Sequence, residues 1–319
     1  MVDTIGKQQF HERTVMELKY LRELVENAGL QETKSVAVIE AEDPDVLKAL
    51  KGSMEIARIR PVLIGLQEKI ENLIKSLDIK GTDVDIVGAR TPQEAVAIGV
   101  DMAKQGKVHM LMKGLLSTKD FLKGILSGDK ALAGNGLLSH VAIFECPGRE
   151  HLFMVTDAAI NIAPDVVQKY QILKNSLFVA ESLGIAKPKI AILSAVETVN
   201  PAIYSTTDAA VLCKMAQRDG LCAIVDGPLA LDISISKEAL RHKGITSPVE
   251  GDADILLVPE LVSGNILYKS LVYFAGAKVA GIVAGAKVPL ILTSRADSGE
   301  SKAYSIALGL IMASVHSGE

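Results

Sequence analysis

The stretch Val288-Pro-Leu-Ile-Leu-Thr-Ser-Arg-Ala-Asp-Ser298 reads as a buried apolar strand that ends on Thr293-Ser294-Arg295, directly before a helix. A strand running into a helix with polar residues at the joint is the repeating unit of an α/β sheet. In open α/β sheets, ligands bind outside the carboxyl ends of the strands. Arg295 brings a permanent charge to such an end, next to two hydroxyls. Its planar fork suits a tetrahedral phosphate. A surface ion pair with Asp297 or Glu300 accounts for the same residues equally well, so this stretch alone leaves both readings open.

Outward from it, short apolar runs alternate with longer amphipathic ones along almost the whole chain, the pattern of βαβ units. Strands are expected at 35–39, 61–65, 84–87 and 108–112. Helices lie between them, the clearest over 92–105, with Pro92 in its first turn after Thr91. An opening helix is expected over 3–28, where Leu18, Leu21, Val25 and Ala28 share a face. A second series of strands is expected at 139–145, 151–155, 189–193, 222–225 and 254–258. Its long helix, 163–183, is stopped by Gly184 and Pro188. The glycine-rich segment 128–138 reads as an interdomain loop. A final helix, 301–314, follows the small-residue stretch 279–286 and the strand before Arg295.

With 319 residues the chain has the length of about two domains. Hydrophobic residues make up 49% but aromatics only 4%, with no Trp, so the interior is aliphatic, as in helix-covered parallel sheets. The net charge of −4 gives no basic face for nucleic acid and argues against an anionic membrane surface. Three cysteines, Cys146, Cys213 and Cys222, lack metal-ligand spacing and read as reduced thiols in a reducing cytosol. The polar N-terminus is unlike a signal peptide. No apolar run reaches the roughly 18 residues of a membrane span; Lys278 and Lys287 interrupt the most apolar stretch. A cytoplasmic protein is therefore expected, with no metal site and no permanently bound cofactor.

Several signatures are missing: G-x-x-x-x-G-K-S/T for a nucleotide loop, an extension of Gly134-Asn135-Gly136 to a dinucleotide fingerprint, H-E-x-x-H, and the G-x-S-x-G elbow. His140, beside an apolar strand, reads as a satisfied structural histidine. Four polar clusters remain, each just after an apolar run. Lys113-Gly114 and Ser117-Thr118 open a helix carrying Lys123, which reads as an anion site or as ordinary capping. Thr156-Asp157 through Asn161 and Pro164 lead into the long helix, with turn chemistry as the plainer reading. Asp226-Gly227-Pro228-Leu229 reads as a tight turn. In Ser263-Gly264-Asn265-Ile-Leu-Tyr268-Lys269, Gly264 would admit a ligand close to the backbone, and Asn265 and Lys269 share a helical face. Each alone is more often structural. Together with Ser294-Arg295 they point to a polar cleft between two α/β lobes.

In this order the clusters closely resemble the phosphate acetyltransferase and phosphate butyryltransferase family, over nearly the whole chain. Leu138-Ser-His-Val-Ala-Ile-Phe-Glu145, the run from Thr156 to Pro164, and Ser294-Arg-Ala-Asp-Ser298 are similar to the butyryl branch. The resemblance implies two α/β domains arranged as in isocitrate and isopropylmalate dehydrogenases, 1–138 with 281–319 and 139–280, separated by a cleft. It implies exchange of a short acyl group, butyryl before acetyl, between CoA and orthophosphate. Both are substrates, and the exchange proceeds by direct attack in a ternary complex. It also implies a homodimer or larger even assembly, with no nucleic-acid or membrane partner.

By the same resemblance Arg295 holds phosphate and Ser294 donates to the developing oxyanion. Lys113, Thr118, Lys123, Asp157, Asn161, Ser263, Asn265, Lys269 and Thr293 bind substrate. Lys123 stands where acetyl members carry an Arg. One departure concerns the base: acetyl members have an Asp seven positions after the Ser, and here that position is Ser301. Glu300 is then expected to be the base, with Asp297 as a partner of Arg295. The alternatives are acetyl specificity, a hydride-transferring dehydrogenase of the same architecture, and a non-catalytic module that senses CoA or acyl phosphate.

Overall fold

The computed structural model describes residues 18–127, 132–134, 136–293 and 297–316. The expected site residues Ser294 and Arg295 lie outside them. The strands are β1 Lys34–Ile39, β2 Ile59–Gly65, β3 Asp85–Gly88, β4 Met110–Lys113, β5 Ser139–Glu145, β6 Phe153–Thr156, β7 Lys189–Leu193, β8 Ile224–Leu229, β9 Ile255–Leu257, β10 Lys278–Ala284 and β11 Leu290–Ile291. The helices are α1 Leu21–Gly29, α2 Pro44–Ile56, α3 Gln67–Ser76, α4 Pro92–Lys104, α5 Thr118–Leu126, α6 Val166–Ser182, α7 Tyr204–Asp219, α8 Leu231–Ile235, α9 Lys237–His242, α10 Leu261–Tyr273 and α11 Gly299–His316.

Among the described residues the strands form one mixed, mostly parallel sheet in the order β3-β2-β1-β4-β11-β10-β5-β6-β9-β7-β8. This is the expected α/β class. Strands β3 to β11 in that order run parallel, as do β6 to β8. Between the two runs lie three antiparallel pairs, β11 with β10, β10 with β5 and β5 with β6, so the runs point in opposite senses. Strand β10 passes through the expected domain limit at 280/281.

Alternate residues of β1 go to different cores: Val36 and Val38 to one, Ala37 and Ile39 to the other. This is the period-2 projection of a strand covered by helices on both faces. The first core takes in α1, α2, α6 and α11, the second α4 and α5. A third gathers Ala142, Phe144, Phe153 and Val155 under α8 to α10.

Several boundaries differ from expectation, each for a local reason. Residues 3–17 of the expected opening helix lie outside the described residues, and within these the helix begins at Leu21. There the Glu23 carboxylate accepts from the Lys19 and Tyr20 amides, 2.8 and 3.4 Å, and fixes the start. Helix α6 begins at Val166, three residues late, because Asp165 and Gln168 form a reciprocal capping box. Asp226–Leu229 is not a turn but the end of β8. Its Asp226 carboxylate accepts from Ser247 Oγ at 2.6 Å, and Gly227 packs where a Cβ would come within 2.8 Å of Ile192. Residues 279–284, expected only as a small-residue stretch, form most of the central strand β10. In the segment 128–138, Leu132 and Leu138 are buried in the second core and Ala133 bridges Ala286. No helix of the described residues is long and apolar enough to cross a membrane.

Candidate active site

The ends of β4, β6 and β11 meet helices α5 and α10 around a cleft of about 490 Å³. Its lining includes Lys113, Ser117, Thr118, His140, Ala158, Ala159, Asn265, Tyr268, Lys269, Leu292, Thr293 and Asp297. Five of the expected binding residues, Lys113, Thr118, Asn265, Lys269 and Thr293, are thus brought together from three separate segments.

Lys113 is the last residue of β4 and is buried. Its ammonium donates to the carbonyls of Gly114 and Leu116 at 3.1 and 3.2 Å. The next two amides, Gly114 and Leu115, continue the pairing with β1 by donating to Ile39 and Glu40 carbonyls, both at 2.8 Å. Gly114 lies so close to β1 that a Cβ would stand 2.0 Å from the Glu40 carbonyl oxygen. Helix α5 then starts at Thr118, with Ser117 Oγ accepting from the Asp120 amide at 3.1 Å. Capping and a helix start facing the cleft are both present. Lys123 sits elsewhere, in a groove of about 610 Å³ between α4 and α5.

After β6 the buried Asp157 carboxylate accepts from the amides of Ala159, Ile160 and Asn161 at 2.9, 3.0 and 3.2 Å, and from Asn161 Nδ2 at 2.6 Å. Asn161 Nδ2 also donates to the Leu138 carbonyl at 2.9 Å. Asp157 and Asn161 therefore shape the loop, and it is Ala158 and Ala159 that the loop turns to the cleft. Helix α10 packs onto this loop through Gly264, where a Cβ would come within 2.9 Å of the Asp157 carbonyl. The close approach read from sequence is to this backbone and to the Val258 side chain, 2.7 Å from such a Cβ. Ser263 belongs to the cap, its amide donating to the Glu260 carboxylate at 2.8 Å and its Oγ to the Glu260 carbonyl at 3.0 Å. One turn on, Asn265 Nδ2 donates to the Ala158 carbonyl at 3.2 Å. Tyr268 stands edge-on to Phe144 with ring centroids 5.3 Å apart, and burial pushes its hydroxyl well above the ordinary tyrosine value.

A family model described as "Phosphate acetyl/butaryl transferase" matches residues 80–310. The chain belongs to this family. Among its relatives, a protein named "Probable phosphate butyryltransferase" from Bacillus subtilis is 45% identical, over 91% of this chain and 97% of that protein. A phosphate acetyltransferase from Thermotoga maritima is 39% identical over 92% of this chain and all of that protein. Of solved structures, a branched-chain phosphotransacylase from Enterococcus faecalis V583 superposes with a TM-score of 0.80 at 35% identity, covering 88% of this chain and 99% of that one. Hydride transfer is not favoured.

For a phosphate acyltransferase of this family the position of Glu300 matters. Its carboxylate accepts from Lys278 Nζ at 2.9 Å and from the Tyr304 hydroxyl at 2.6 Å, and it is not among the residues lining the cleft. Those two hydrogen bonds, Tyr304 first, hold it below the usual carboxylate range. Such a group contributes stability above its unfolded value of 4.5, lost as the pH falls through the lower folded value. Because the pair is half exposed, Glu300→Gln is expected to leave turnover within about twofold. It should remove only that acid-side component of stability, read from melting temperature against pH. A hundredfold fall in kcat would restore Glu300 as the base. Asp297 is the carboxylate-bearing residue that does line the cleft, its carbonyl held by buried Lys302 Nζ at 2.6 Å.

Proposed function

We propose that this protein exchanges a short acyl group between CoA and orthophosphate, with butyryl preferred. One observation carries the reading: Thr293 and Asp297, the described residues on either side of the Ser294–Ala296 segment, line the same cleft as Lys113, Thr118, Asn265 and Lys269. In the thioester-forming direction the CoA sulfur attacks the carbonyl of the acyl phosphate within a ternary complex, and the carbon–oxygen bond to phosphate breaks. Arg295 grips the phosphate through paired charge-assisted hydrogen bonds. Ser294 donates to the carbonyl oxygen as charge builds on it, a contribution of ~10²–10³ in rate for such a donor. Thr118 and the first amides of α5 add positive potential. Lys269, exposed at the mouth, meets the anionic part of CoA.

The cleft belongs, in this reading, between two lobes, 1–138 with 281–319 and 139–280, in the isocitrate-dehydrogenase manner. The antiparallel β5–β10 pair would be their seam. A homodimer or larger even assembly completes the proposal, supported by the exposed Val262, Ile266 and Phe274 on and after α10.

Leu116, Leu292, Ala158 and Ala159 supply apolar wall for the acyl chain. Butyryl and acetyl differ by two methylenes, each worth about 1–3 kcal/mol in a fitted pocket. Ranking kcat/KM over acetyl-, propionyl-, butyryl- and valeryl-CoA, with thiol release followed in the presence of phosphate, should place butyryl about a hundredfold above acetyl. A flat or acetyl-peaked ranking would remove the butyryl assignment. Absence of phosphate-dependent release with all four would remove the exchange itself.

A further inference from the structure

We propose that His140 is the base of the acyl exchange, taking the CoA thiol proton as sulfur attacks and handing it to the departing phosphate. The inference rests on the exchange reading above. Its balance is complete within that reaction. The sulfur–carbon bond forms, the carbon–oxygen bond to phosphate breaks, and the thiol proton moves to the imidazole and then to a phosphate oxygen. Acyl phosphate and CoA thus become thioester and hydrogen phosphate, with the histidine neutral at start and finish.

His140 is the second residue of β5, only 5% exposed, yet it lines the cleft with Lys113, Thr293 and Asp297. Its neighbour Val141 faces the opposite core. Room for the ring comes from β10, where a Cβ on Gly281 would lie 3.1 Å from Nε2. Tyr268 of α10 flanks it, ring centroids 6.1 Å apart. Nδ1 is buried and has no hydrogen-bond partner among the described residues. Buried polar nitrogens are almost always paired, so a structural histidine here ought to show a partner, and this one does not. The expectation of a satisfied histidine is not met at Nδ1 among the described residues.

Burial holds the imidazole below the ordinary histidine value of 6.5, against the opposing pull of Asp157 and Asp297, so it is neutral and able to accept a proton at pH 7. The charged and titratable groups facing it are Asp157 after β6, Asp297 before α11, Lys113 on β4, and Tyr268 and Lys269 on α10. A thiol of pKa about 8.5 is closer in basicity to an imidazole than to a carboxylate, which is the match general-base catalysis needs. Glu300, the base expected from sequence, is engaged by Lys278 and Tyr304.

The test uses the whole chain with butyryl phosphate and CoA, measuring kcat and KM from pH 4 to 9. His140→Gln and His140→Asn should lower kcat by about a hundredfold or more, with little change in KM for butyryl phosphate and with partial rescue by added imidazole. The fall in wild-type rate on acidification, below 6.5, should vanish in both. Variants that keep wild-type kcat, or keep that acid limb, overturn the proposal, as does loss of the limb in Asp297→Asn alone. Should neither His140 variant fold, the wild type decides. A limb whose midpoint shifts with temperature, as imidazole's does, supports His140; one that stays fixed, as a carboxylate's does, overturns it. A wild type with no exchange activity instead overturns the reading beneath.

Discussion

Arg295→Ala is expected to slow phosphate-dependent release of CoA from butyryl-CoA by ~10³-fold while leaving the fold intact. The phosphate is the most highly charged group in the reaction, and a guanidinium delivers two parallel donors to it where an ammonium delivers a point charge. Arg295→Lys should therefore recover only part of the loss, chiefly as a raised KM for phosphate. Both flanks of the segment, Thr293 and Asp297, line the cleft, and Thr293 is buried. Lys113, which also lines the cleft, has its ammonium donating to two backbone carbonyls at 3.1 and 3.2 Å and offers a point charge rather than a fork. Circular dichroism and a melting curve establish that the variant is folded. Full activity in a folded Arg295→Ala would end the phosphate-clamp assignment.

The parts legible in sequence were those whose signal is local. Continuous apolar runs such as Val36–Ile39 have few structures open to them besides a buried strand, and β1, β5 and β7 fall where the runs place them. Asn265 and Lys269, four apart, share a helix face and both reach the cleft. What stayed hidden depends on what lies across from a residue. The run from Val279 to Ala284 is apolar throughout, but with both faces buried it shows no alternation, and its Ala and Gly residues make it read as a small-residue stretch, yet it is central to the sheet. Gly114 and Gly264 announce a close approach without saying to what: for Gly114 the neighbour is backbone, for Gly264 it is the Val258 side chain together with the backbone of Asp157 and Ala158. Glu300 has the right distance from Ser294 along the chain, but the first turn of α11 aims it at Lys278. His140 looks like one more residue at the edge of an apolar strand until the missing partner of its Nδ1 is seen.

Gly114→Ala is expected to damage stability and activity together. Its Cβ would meet the Glu40 carbonyl oxygen at 2.0 Å, the Glu40 carbonyl carbon at 2.7 Å and the Ile39 oxygen at 2.7 Å. All three are backbone atoms, so no side chain can rotate away, and Glu40 itself is held at φ +60°. The strand end must move instead, breaking the hydrogen bonds that the Gly114 and Leu115 amides donate to the Ile39 and Glu40 carbonyls. Overpacking of this kind costs about 3 kcal/mol, or roughly 6 °C or more in Tm for a chain of this size. The displaced segment carries both Lys113 and Thr118 into the lining of the cleft, and misplacement by about 1 Å costs ~10²-fold in rate. Gly52→Ala is the matched control: position 52 lies inside α2, and a Cβ there meets nothing within 4 Å. That substitution removes backbone freedom from the unfolded chain at no steric cost and should stabilise by about 0.5–1 kcal/mol with kcat unchanged. Equal melting temperatures for the two variants would mean that the β1–β4 approach tolerates a methyl group, and that Gly114 does not set the position of the strand end beneath the cleft.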